Sequence, residues 1–118
     1  MKTRFLTIVL LFVGLNAAKA HAFLDHADPR VGGTVHGSPP VLTLWFTEEL
    51  EGAFSKVRVM DAQGNEVDKK DAQVDPTRKA VMSVSLPVLP PGTYKVVWSA
   101  VAVDTHHTTG SFTFTVAP

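Results

Sequence analysis

The sequence predicts an antiparallel β-sandwich. Three observations carry this. Apolar residues recur at every second position in several short runs, the period of a strand with one buried face. Turn-forming residues separate those runs at the spacing of a many-stranded sandwich. No run after residue 20 has the apolar period of an amphipathic helix.

The elements follow in order. Residues 22–27 are expected to form a first, edge strand, and Pro29, Gly32, Gly33 and Pro39-Pro40 bracket a loop. Residues 41–46 alternate, with Leu42, Leu44 and Phe46 on one face and Thr43 on the other. Residues 54–60 set Val57 and Val59 against Lys56 and Arg58, and residues 61–65 turn the chain. Residues 67–77 are charged and contain Asp75-Pro76, so they read as an exposed connection. Residues 79–86 oppose Met82, Val84 and Leu86 to Ser83 and Ser85. Pro90-Pro91-Gly92 marks a turn into a long strand, 93–103, with Tyr94, Val96 and Trp98 on one parity. Phe112, Phe114 and Val116 alternate with Ser111, Thr113 and Thr115 in the last strand, 111–116. Trp45 and Trp98 are expected to fill the core, and Met60 and Met82 to pack in it or at its ends.

The beginning of the chain is of another kind. Lys2 and Arg4 precede an apolar run, 5–15, broken only by Thr7 and Gly14, and Ala18-Lys19-Ala20 supplies a small-x-small cleavage pattern. Residues 1–20 are therefore expected to be a secretory signal peptide, and the run is too short for a retained membrane span. Its removal from 118 residues leaves one domain of 98, residues 21–118, starting at His21. The expected location is the periplasm, with nothing left in the membrane.

Composition narrows the chemistry. The absence of cysteine excludes blue-copper, iron–sulfur and thiol chemistry and leaves the domain without a disulfide. The 11 basic and 11 acidic residues of the full sequence become 8 and 11 once Lys2, Arg4 and Lys19 are removed. No basic stripe remains for a nucleic-acid backbone, and no glycine loop is built to cradle phosphate.

An N-terminal histidine is a chelate, since its α-amino nitrogen and ring Nδ1 can close one ring on a metal. The segment Asp104-Thr105-His106-His107 links the long strand to the last one, at one end of the sandwich. In extended backbone Asp104 and His106 would project together and His107 away. Joined to His21, they give three nitrogens and one oxygen, a set that suits Cu(II) in tetragonal geometry. A solvated polar loop and an incidental first residue are the plain alternatives. His107 can be an alternative ligand, a support for a ligand or a bystander. His26 and His36 read as surface residues, and Glu48, Glu49 and Glu51 as a solvated acidic turn. With three methionines and no cluster of them, no soft Cu(I) site is expected.

The start His21-Ala22-Phe23-Leu24, then Asp28-Pro29, the segment from Val41 through Trp45 to Glu48, the stretch from Gly92 to Trp98, Asp104-Thr105-His106 and Gly110-Ser111-Phe112-Thr113-Phe114 together resemble the CopC family of periplasmic copper-binding proteins. The resemblance implies a seven-stranded Greek-key sandwich or barrel, cupredoxin-like or immunoglobulin-like. It implies one Cu(II) per chain on His21, Asp104 and His106, and, without a methionine-rich loop, a Cu(II)-only member. The function expected is a non-enzymatic copper carrier or buffer in copper homeostasis or resistance. Its partners would be the copper ion and a membrane copper transporter or another periplasmic copper protein. A histidine-brace copper oxygenase and a metal-free interaction module are the competing readings.

Overall fold

The computed structural model describes residues 22–118; the expected signal peptide and His21 lie outside them. Eight strands form: β1 (Leu24–Asp28), β2 (Thr34–His36), β3 (Val41–Phe46), β4 (Lys56–Met60), β5 (Gln73–Val74), β6 (Val81–Ser85), β7 (Gly92–Val101) and β8 (His107–Ala117). They build two four-stranded sheets, ordered β1-β3-β6-β5 and β2-β8-β7-β4. The predicted sandwich is thus present. Among the described residues no helix is long and apolar enough to cross a membrane.

The alternation seen in the sequence is what closes the two sheets on each other. Leu42, Leu44 and Phe46 of β3, Met82 and Val84 of β6, Tyr94, Val96 and Trp98 of β7, and Phe112, Phe114 and Val116 of β8 share one buried core. Each such side chain contributes roughly 1.5–3 kcal/mol when removed from water, and with no cysteine this packing replaces a covalent staple. Phe46 meets Trp98 edge to face, with centroids 5.1 Å apart. Trp98 in turn lies opposite Gly110 in the β7–β8 ladder, where the missing side chain leaves room for its indole.

Among the described residues there are eight strands rather than the expected seven, and four details differ from the sequence reading. Trp45 does not enter the core. Its parity on β3 is opposite to Leu44 and Phe46, so it sits half-buried on the outer face. Residues 34–36, expected in a loop, form β2 and pair parallel to β8, so the sandwich is antiparallel except at this edge. The connection 67–77 contributes β5, which pairs with β6. The last strand starts at His107 rather than Ser111, because the β7–β8 ladder runs on to the pair Val101–His107.

The free edge of β4 is covered by the segment after it. The Val67 N–H donates to the Val59 carbonyl over 2.8 Å. The Val59 N–H donates to Asp68 Oδ2 over 2.8 Å, and the Lys70 N–H donates to Asp68 Oδ1 over 2.9 Å. Asp68 is buried, so it stands in for a neighbouring strand at an edge that would otherwise expose its amides. Asp68→Ala leaves a buried donor unpaired and is expected to destabilise the fold by about 1–3 kcal/mol in chemical denaturation. An unchanged midpoint would show that water replaces the carboxylate at no cost.

Candidate metal centre

The turn between β7 and β8 carries two of the three expected ligands, Asp104 and His106. It is tight. The Thr105 N–H donates to the Ala102 carbonyl over 2.8 Å, and the Ala102 N–H donates to the His106 carbonyl over 2.9 Å. Thr105 has φ 75°, in the left-handed region. The sequence alone brings Asp104 and His106 together on extended backbone; the structure brings them together by folding the chain over Thr105. Asp104 Oδ2 lies 3.1 Å from His106 Nδ1, and the His106 N–H donates to Asp104 Oδ1 over 3.3 Å. These contacts, the ring first and the amide second, hold the Asp104 carboxyl below the usual carboxylate range. Asp104 is therefore an anion at neutral pH. With Nδ1 donating to that carboxylate, the His106 lone pair sits on Nε2. Both side chains are solvent-accessible, at 40% for Asp104 and 53% for His106.

The start of the described chain is fixed beside this turn. The Thr108 hydroxyl donates to the Ala22 carbonyl over 2.6 Å, and Ala22 is fully buried. The Phe23 N–H donates to Thr47 Oγ1 and the Thr47 N–H to the Phe23 carbonyl, each over 2.9 Å. The 47–51 segment is joined to the same end, since Leu50 bridges Ala102 and the Val103 N–H donates to the Glu49 carbonyl over 3.1 Å. Residue 22 thus lies at the end of the sandwich that bears Asp104 and His106.

The other histidines are elsewhere. His107 belongs to β8, and its Nε2 lies 2.6 Å from Ser99 Oγ on the outer face of its sheet. His36 is exposed at the end of β2. His26 is on β1, beside Asp25 and Trp45. Among the described residues no three His, Asp or Glu side chains are grouped closely enough to hold a metal ion. Asp104 and His106 supply two donors, and the third sequence-predicted ligand, His21, is outside those residues. The Thr108 anchor is invisible in the sequence, where a threonine in a Thr/Ser-rich strand carries no distinguishing mark.

The family model described as the CopC domain matches residues 24–117. The chain belongs to the CopC family. Solved CopC structures superimpose on it. CopC from Methylosinus trichosporium OB3b is 30% identical with a TM-score of 0.78, covering 83% of this chain and 95% of its own. PcoC from Escherichia coli, described as a methionine-rich copper resistance protein, is 33% identical with a TM-score of 0.71, covering 83% of this chain and all of its own. The Escherichia coli K12 protein YobA is 35% identical over 98 residues, which are 82% of this chain and 79% of YobA. The CopC family is one of copper resistance and copper transport proteins, and the two-sheet sandwich is its fold.

Proposed function

We propose that the chain, cut after Ala20 on export to the periplasm, is a Cu(II) carrier or buffer without catalytic turnover. The His21 amine and imidazole, His106 and Asp104 hold one Cu(II) per chain. The observation that carries this is the hydrogen bond from Thr108 to the Ala22 carbonyl, which ties the residue after His21 to the strand that begins one residue after His106. Two imidazoles, one amine and one carboxylate are a hard-to-borderline set that favours Cu(II). Asp104, already anionic through its hydrogen bonds, offsets part of the metal's charge. PcoC is described as methionine rich; this sequence has three methionines, Met60 and Met82 among them. That contrast favours a site without thioether ligands. Before cleavage the nitrogen of residue 21 is an amide, so the site is complete only after export. A membrane copper transporter or another periplasmic copper protein is the partner that gives or takes the ion.

Electron paramagnetic resonance of Cu(II) added to the processed protein tests this, with mass spectrometry showing His21 as the first residue. Hyperfine splitting from three nitrogens is expected; a spectrum of weakly bound, oxygen-ligated copper would overturn it. Thr108→Val keeps the side-chain shape and removes the anchor. It is expected to weaken Cu(II) binding about tenfold, near 1.4 kcal/mol, while the far-ultraviolet spectrum stays that of a β-sandwich. Equal affinity in the variant would show that the anchor plays no part in binding.

A further inference from the structure

His26, away from the Asp104–His106 turn, is also held in the manner of a metal ligand. Its ring lies flat on the Trp45 indole, with centroids 4.4 Å apart and planes 8° from parallel. Its Nδ1 lies 2.7 Å from Asp25 Oδ2. This contact depends on an irregularity in β1. The pairing with β3 shifts between Leu24 and His26, so Asp25 is the extra residue of a bulge. A bulge re-aims a side chain that strict alternation would send to the other face, and here Asp25 and His26 meet in solvent.

An unconstrained surface histidine samples several rotamers and both tautomers. His26 is restrained in plane by Trp45 and in tautomer by Asp25. A carboxylate on one ring nitrogen is the support that metal-bound imidazoles receive: it places the lone pair on the other nitrogen. The ring stays accessible, with the His26 side chain 58% exposed. Asp28, two residues along β1, is also exposed and adds a second negative charge near an arriving cation.

We infer that His26 Nε2 is a second landing site for borderline divalent cations, Cu(II) most strongly, with water completing the coordination. Cu(II) ranks first because imidazole affinities rise to it along the first-row divalent series. At about 3.3 Å per extended residue, and less across the bulge, His26 lies on the order of 10 Å along the chain from Ala22, so the two sites are separate. One imidazole binds far more weakly than a chelate with three nitrogens. His26 therefore fills second and exchanges quickly, as suits an ion that is arriving or leaving. The inference does not require the first site.

The test is a Cu(II) titration of the processed protein, read from paramagnetic broadening of the histidine ring signals in nuclear magnetic resonance. His36, exposed on β2, serves as the internal control for adventitious imidazole binding. Beyond the first equivalent, the His26 ring signals are expected to broaden at copper concentrations about tenfold below those that broaden His36. Asp25→Asn is expected to remove that preference, in line with the roughly 10–100-fold effect of losing such a support. Parallel broadening of His26 and His36, no broadening of His26, or an unchanged His26 titration in Asp25→Asn would overturn the inference. If the first equivalent itself lands on His26 and spares residues 102–106, the proposed function fails and this inference stands.

Discussion

Acetylating the α-amine of His21 in the processed chain will lower its Cu(II) affinity by on the order of 100-fold, about 3 kcal/mol. The physical cause is the loss of one donor and of a chelate ring. The α-amino nitrogen becomes an amide nitrogen without a basic lone pair, and the His21 imidazole is left to bind alone. The fold should not respond, because Ala22 keeps its burial and its bond from Thr108. The melting temperature of the metal-free acetylated form is therefore expected to match that of the parent. The pH dependence separates this from a general weakening. Protons compete with the metal for the amine, whose ordinary pKa is about 7.7–8.0, and for the His21 imidazole, ordinarily about 6.5. In the parent, affinity falls as pH drops through both ranges. In the acetylated form no terminal amine remains, so the upper step disappears. Asp104, held below the usual carboxylate range, stays ionised throughout and adds no step. Competition with a chelator of known affinity across this pH range gives the answer, and equal affinities for the two proteins would exclude the N-terminal chelate.

Gly110→Ala is expected to be the most damaging single methyl group in the domain. Gly110 faces Trp98 across the β7–β8 ladder. A Cβ there would lie 2.6 Å from Trp98 Cε2 and 2.9 Å from Nε1, closer than atoms can approach. The indole cannot swing aside without disturbing Phe46, which meets it edge to face in the core. Overpacking of this kind costs about 1–3 kcal/mol, and for a domain of this size about 2 kcal/mol lowers the melting temperature on the order of 10 °C. Scanning calorimetry of the metal-free protein measures it. A shift of less than a degree would mean that the two strands part to admit the methyl group. Copper will partly restore the loss, since a ligand that binds only the folded state raises its stability.

These two positions also mark what the sequence discloses and what it withholds. Alternation in 41–46, 93–103 and 111–116 announces β3, β7 and β8 and all but one of the core residues expected from them. The exception is Trp45: a large aromatic is expected inside, but its parity with Thr43 puts it outside. Strands β2 and β5 leave no mark, because three- and two-residue strands are too short to show a period. At the candidate site, Asp104 and His106 are near neighbours, and their contact can be read locally. The left-handed Thr105 that makes the contact cannot, since threonine rarely adopts that conformation. The bond from Thr108 to Ala22 joins residues 86 positions apart. Nothing at either position reveals such a contact; it exists because the two sheets stack and carry the chain start to the tip of the β7–β8 hairpin.

The burial of Ala22 sets an order of events. A processing protease takes its substrate as an extended strand, with residues on both sides of the cut bond free to enter its cleft. Ala22 is completely enclosed in the folded domain and tied by its carbonyl. A cut after Ala20 therefore belongs to a time when this segment has not yet docked. On the proposed reading, trimming precedes the closing of the domain over its own first residues, so that a copper ion would meet a protein whose maturation is already finished.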